Sequence, residues 1–258
     1  MSDSLKELWN ARHLIAALSI NDVKLRYKNS FLGFIWTFLE PLLMLMVLFF
    51  VFSNIIKSDI DNYPLYLLLG LIMWYMFSRA TNMGLVSLSD RAHIIQKIYI
   101  KKEVFVISSC ITAFIMMIFE FVVFGVFLAV FQFIPPATIV LLPVILFEIF
   151  VLSLGVSFLL SILNVYFKDI RFIWQVVMQA GFFVTPIIYT LDMFPENIRV
   201  ILELNPMAHI ISMSHNLILY GTPVDINSAY YLLATTTAIF VVGYVVFRKK
   251  EAKIVEDL

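Results

Sequence analysis

From Phe31 to Phe247 the chain returns repeatedly to runs of about eighteen or more mostly apolar residues, the length a helix needs to cross a bilayer core. Backbone that crosses hydrocarbon must satisfy its own N–H and C=O groups, which leaves helices or a closed barrel. The runs are continuous instead of alternating, which argues against a barrel. Hydrophobic residues make up 62% of the chain and charged residues 14%, more apolar surface than a soluble core of this size needs. The expected fold is an all-α polytopic membrane protein. Six transmembrane helices are expected, at about 31–56, 64–88, 104–133, 138–164, 172–191 and 230–247. The N-terminal stretch MSDSLKELWNARHL is too polar for a signal peptide, so the first span is expected to stay in the protein.

The cations orient these spans. Lys6, Arg12, Lys24, Arg26 and Lys28, then Arg91, Lys97, Lys101 and Lys102, then Lys168 and Arg171, then Arg248, Lys249, Lys250 and Lys253 all fall on one side. Only Lys57 and Arg199 fall opposite, so both termini are expected in the cytoplasm. The chain reads as a single domain over 1–258. Residues 1–30 form a cytoplasmic interface segment, 31–191 carry spans 1–5, 192–229 are an outer segment, 230–247 are span 6, and 248–258 are a cytoplasmic tail.

Three segments outside the spans carry information. Over 4–19, Leu5, Leu8, Trp9, Ile15 and Leu18 fall near one helical stripe, as in an amphipathic helix lying on the membrane face. The cytoplasmic stretch SDRAHIIQKIYIKKE, 89–103, mixes Ile and Tyr with cations like a docking surface. The outer stretch holds two short amphipathic patterns divided by Asn205-Pro206. It is too apolar for a solvated loop and reads as a pair of re-entrant half-helices between spans 5 and 6.

Charges inside the spans are costly and call for partners. Counted from the inner span ends, Glu40 and Arg79 both sit roughly 15 Å deep, and Glu120 and Glu148 roughly 24 Å. Glu40 and Arg79 are therefore expected to form an intramembrane ion pair. Glu120 and Glu148 are expected to be isolated carboxyls bonded to backbone or hydroxyls, with a proton relay as the second reading. Tyr and Trp at span ends are ordinarily interface belts. Trp36, Trp74, Tyr75, Phe77, Phe182, Phe183 and Tyr189 cluster instead in spans 1, 2 and 5, and are the candidates for an aromatic path that packs on the C–H faces of sugars.

Several chemistries find no support. The four histidines do not share a helical face, and the eight glycines form no phosphate loop. The chain is not expected to be an enzyme or to bind a cofactor or metal itself. Net charge is zero with no basic face, so no nucleic-acid partner is expected. The single cysteine, Cys110, gives no disulfide framework. An ion-coupled secondary transporter would show inverted repeats, and none is visible. An intramembrane glycosyltransferase would need an acidic cluster tighter than Asp192, Glu196 and Glu203.

RYKNSFLGFIWTFLEPL, 26–42, resembles the first motif of the ABC-2-type permeases that export polysaccharides, an RY-x-x-S-x-LG-x-x-W stretch ending in Pro-Leu. NVYFKDIRFI, 164–173, is similar to their second cytoplasmic motif, with Lys168-Asp169 where Arg-Asp is usual. TPIIY at 185–189 and LNPM at 204–207 resemble the end of span 5 and the outer re-entrant segment. The resemblance covers nearly the whole chain, in order, and fits the transmembrane subunit of O-antigen and teichoic-acid exporters. Glu40 departs from it, since Asn is common there.

The resemblance implies a homodimer in the inner membrane of a prokaryote, bound to two cytoplasmic ATPase subunits that hold ATP and Mg. The implied substrate is an undecaprenyl-diphosphate-linked polysaccharide, of O-antigen or teichoic-acid type, with a small-molecule or drug exporter of the same class as the alternative. The surface helix and the segment near 89–103 would receive the ATPase stroke, with Asp90, Arg91, Lys97 and Lys101 as its contacts. Lys24, Arg26 and Lys28 would hold the surface helix at anionic headgroups, with contact to a substrate diphosphate as the second reading.

Overall fold

The computed structural model describes residues 9–26, 28, 30–52, 60–97, 100–223 and 225–251, and among them finds helices and no strand. In chain order the helices are α1 (Arg12–Arg26), α2 (Trp36–Val51), α3 (Tyr63–Val86), α4 (Ala92–Ile95), α5 (Glu103–Val130), α6 (Leu142–Tyr166), α7 (Ile170–Val184), α8 (Glu196–Glu203), α9 (Pro206–His215) and α10 (Ile226–Lys250). Turns of 3-10 helix, Gly33–Ile35 and Ala137–Leu141, lead into α2 and α6. Four helical stretches are long and apolar enough to cross a membrane: Gly33–Val51, Glu103–Val130, Ala137–Tyr166 and Ile226–Lys250. Their outer faces show Phe50, Val122, Val126, Phe147 and Val242, a surface suited to lipid.

The helix α3 is long enough to cross, but Ser78, Arg79, Thr81 and Asn82 break its apolar run. It sits at the centre of the bundle. From residue 65 to residue 74 every side chain is buried, as expected of a helix that is apolar on all faces. Around it pack α2, α5, α6, α7 and α9, and α10 lies against α6 on the far side. Close helix contacts rest on small residues. A Cβ on Gly84 would meet Ser157 Cβ at 2.4 Å, and one on Gly243 would meet Gly155 O at 2.2 Å.

The surface helix runs further than its sequence pattern suggests, to Arg26. Its inward stripe is Ala11, Leu14, Ile15, Leu18, Ser19, Asp22 and Val23, spaced by three and four. Trp9 lies off that stripe and is 69% exposed, while Leu5 and Leu8 lie outside the described residues. Polar bonds dock the stripe on α5: Ser19 Oγ donates to Ser108 O (3.1 Å), and Thr112 Oγ1 to Ser19 O (3.3 Å).

The expected fifth span is cut short. The helix α7 ends at Val184, because Pro186 has no N–H and disfavours helical backbone at Thr185, whose ψ is 139°. At about 1.5 Å per residue its 15 residues cover roughly 22 Å. The carbonyls that follow leave the helix but find donors on α3. Tyr63 Oη donates to Ile188 O (2.9 Å) and Tyr66 Oη to Tyr189 O (2.7 Å). Asn205 then ties this stretch to the next one. Its Nδ2 donates to Thr185 Oγ1 (2.9 Å), and its Oδ1 caps α9 by accepting from Met207 N (3.0 Å). Two short helices, α8 and α9, lie within 192–229, and α9 is buried along Met207, Ala208, Ile210 and Ile211 against α3 and α6.

Removing the Tyr66 hydroxyl leaves Tyr189 O without this donor in an apolar setting. Tyr66→Phe should lower unfolding stability in mixed micelles by about 1–3 kcal/mol. Tyr230→Phe, at an exposed position, is the control; equal effects from the two would contradict the capping role.

Candidate functional site

The first candidate is the charge buried in the bundle. Arg79 on α3 places Nη2 against Glu120 of α5, with both a hydrogen bond and an ion pair. Glu40 Oε2 of α2 lies 3.7 Å from the same nitrogen, and the guanidinium sits 5.4 Å from the Tyr75 ring centroid. Glu120 is fully buried, whereas the Glu40 side chain is 45% exposed. Glu40 and Arg79 are thus brought together, but Glu120 is the inner partner and is not an isolated carboxyl. The depth estimate fails because it counts from the start of α5, whose lower turns run past the surface helix as far as Thr112. From Thr112 to Glu120 the rise is only about 12 Å, close to the level of Arg79. Glu148 stands apart, in a groove with Val144, Leu217 and Leu232.

Glu40 opens into a groove of about 580 Å³ lined by Arg26, Trp36, Leu43, Met44, Val47 and Tyr75. Cation, aromatic and apolar wall follow one another from the end of α1 up α2. Lys24 and Lys28 are exposed beside Arg26. The aromatic candidates divide between two places. Trp36 and Tyr75 line this groove, while Trp74, Phe77 and Phe182 pack together inside the bundle, with ring centroids 6.1 and 6.2 Å from Trp74. Phe183 is exposed, and Tyr189 Oη donates to its carbonyl (2.9 Å).

The second candidate lies at the basic end of the bundle. Ser89 is its hub. Ser89 Oγ accepts from Asn164 Nδ2 (2.9 Å) and from Arg171 Nη2 (2.9 Å), and donates to Val86 O (3.2 Å), which uses a hydroxyl's one donor and two acceptor positions. Arg171 Nε also donates to Asn164 Oδ1 (3.1 Å), and Nη2 lies 3.4 Å from Asp90 Oδ1. One residue on, Arg91 pairs with Asp22 of α1. The segment over 89–95 is therefore tied to the surface helix on one side and to the α6–α7 corner on the other. Of the residues expected there, Asp90 and Arg91 belong to this cluster; Lys97 is exposed and Lys101 half-buried. Asp22, Ser89, Asn164 and Arg171 were missed as site residues. Asn164 and Arg171 lie in the motif NVYFKDIRFI, where Arg171 counted only toward the orientation of the chain.

At the opposite end, Arg199 donates to Glu203 (2.8 Å) and Asp192 (2.7 Å), which holds its guanidinium pKa above the ordinary value. Asp225 caps α10 by accepting from Ser228 N (2.9 Å), which lowers its carboxyl pKa.

The two carboxylates on Arg79 should separate by mutation. Glu120→Gln leaves a buried guanidinium without its inner partner and should cost about 3–5 kcal/mol of stability. Glu40→Gln, at a half-exposed position, should cost about 1 kcal/mol or less. Unfolding in SDS–detergent mixtures reads both, and equal losses would contradict this assignment.

Comparison with known proteins places the whole chain. The family model for ABC-2 type transporters matches residues 13–219. The O-antigen export system permease protein RfbA of Klebsiella pneumoniae is 31% identical over 261 aligned positions, covering 99% of this chain and all of the relative. The protein of the same name from Myxococcus xanthus is 32% identical over 84% of each chain. The polysialic acid transport protein KpsM of Escherichia coli is 20% identical over 92% of this chain and 93% of its own length. With a family match across all the helices through α9 and full-length relatives at this identity, the chain belongs to the ABC-2 type transporter family.

Proposed function

We propose that this protein is the membrane subunit of an ABC exporter for lipid-linked polysaccharide, and that two copies line the passage. In this reading each copy crosses the inner membrane six times. The helix α3 is the second crossing, shielded from lipid by its neighbours, and α7 with the extended stretch after it is the fifth. The basic end and both termini face the cytoplasm. A separate ATPase subunit binds ATP and Mg and supplies the power.

The observation that carries this reading is the surface of α7. One seam packs it on the bundle: Trp174 Nε1 donates to Thr81 Oγ1 (3.2 Å), and Met178 and Phe182 are buried. The rest of the helix is exposed, including Gln175 and Gln179, one turn apart above Arg171, with Phe172, Val176 and Phe183 beside them. Lipid offers nothing to the two amides, whereas water, a sugar or a second copy does. Amide and aromatic side chains together suit a glycan, because hydroxyls bond the amides and C–H faces lie on the rings. The names of the relatives, O-antigen export and polysialic acid transport, support a polysaccharide as cargo. The groove of Arg26, Trp36 and Val47 suits a lipid carrier, with its anionic head at the cation and its chain along α2. An ion-coupled route gains no support, since Arg79 holds Glu120 and Glu148 lies in a different groove.

Depletion of the protein in its own cell tests this. Lipid-linked polymer should accumulate on the cytoplasmic side and surface polymer should fall. Surface polymer at its normal level after depletion would refute the proposal.

A further inference from the structure

We infer that Arg171 is the strut through which the segment 89–95 moves α7. The inference rests on the reading of the chain as an ATPase-driven subunit, and it names the route the motion takes.

Besides the chain on into α5 and the link from Arg91 to Asp22 of α1, which is itself docked on α5, a push delivered to the segment around α4 has two ways into the bundle. One is along the chain into α3, whose side chains are buried on every face over 65–74. A helix so enclosed cannot shift without repacking its neighbours. The other is Arg171, in the first turn of α7. This helix is held by one seam, and Gly181 marks a close approach along it: a Cβ there would meet Trp74 Cη2 at 2.8 Å. A rod held along one side can tilt when its end is pushed.

The contacts at Arg171 are directional. Its guanidinium reaches Ser89, Asp90 and Asn164 at once, and Asn164 is fully buried and bonded to the same Ser89 hydroxyl. The planar fork fixes both distance and angle, which a lysine ammonium on a flexible stem does not. The Arg171 and Asp90 side chains are 42% and 59% exposed, so their ion pair contributes little to stability. A cluster that adds little stability but fixes geometry between two elements suits the transmission of movement. Arg171 is then a positioning residue: it acts on the passage through α7 and has no contact with nucleotide.

The test uses the permease reconstituted in vesicles with its ATPase subunit, measuring glycan translocated per ATP hydrolysed. Arg171→Ala should lower that ratio by about tenfold, within the usual range of coupling between sites, while hydrolysis continues near the wild-type rate. Arg171→Lys should fall between the two. Ser89→Cys with Arg171→Cys should be uncoupled like Arg171→Ala, and a short bifunctional thiol linker between the two cysteines should restore the ratio. Cys110 is buried and does not compete for the reagent. A wild-type ratio in Arg171→Ala overturns the inference, as does a linked double variant that stays uncoupled or loses hydrolysis and export together. If the wild-type complex shows no ATP-driven translocation, the functional reading fails, and the inference falls with it.

Discussion

A guanidinium inside an apolar bundle is the constraint from which this architecture follows. Arg79 lies on the most enclosed helix and is only 7% exposed. A charge in that position is tolerable only beside an opposite charge. The partners come from two other helices, Glu120 on α5 and Glu40 on α2, so one side chain fixes how three helices meet. The same constraint explains why α3 can afford polar residues in its second half. It is largely buried, and its neighbours provide the apolar outer surface. The two carboxylates are unequal, and the exposed one opens on the groove beside Arg26 and Trp36.

The two ends of the bundle are built differently. At the end holding α8 and α9, irregular backbone is locked by tyrosine hydroxyls, an asparagine cap and buried apolar contacts; His215 stacks on Tyr66 at 3.6 Å between ring centroids. At the basic end, the half-exposed charges of Arg171 and Asp90 and the buried amide of Asn164 join three elements through directional bonds. Buried apolar packing of the first kind resists rearrangement. Solvated ion pairs and hydrogen bonds can break and re-form at little cost. Relative to the proposed function, the second kind of joint is where a partner's motion can enter.

Much of this was legible in the sequence. Long apolar runs located α2, α5, α6 and α10 within a few residues, and Asn205-Pro206 marked the division between α8 and α9. The motifs quoted in order led to the ABC-2 family that the comparison establishes. Three things were not legible, each for a physical reason. Glu120 looked isolated because depth was counted from the start of α5, and nothing in the chain told that its first turns lie beside α1. Thr185-Pro186 signals a kink near the end of the fifth span, but TPIIY is apolar enough to continue it; the hydroxyls of Tyr63 and Tyr66, more than a hundred residues away in sequence, make a non-helical backbone there acceptable. Arg171 looked like one more cytoplasmic cation, since a charge count carries no geometry. The aromatic candidates share spans, but a span has an inside and an outside, and the fold puts Trp74, Phe77 and Phe182 inside the bundle and Trp36 and Tyr75 at the groove.

In the proposed function this chain is a passive passage that is opened from the basic end by a separate nucleotide-hydrolysing subunit. Reconstitution tests that division of labour most directly. Vesicles holding the permease alone should not translocate lipid-linked glycan, with or without ATP, and adding the ATPase subunit together with ATP and Mg should start transport. Transport by the permease alone, without nucleotide, would contradict the account.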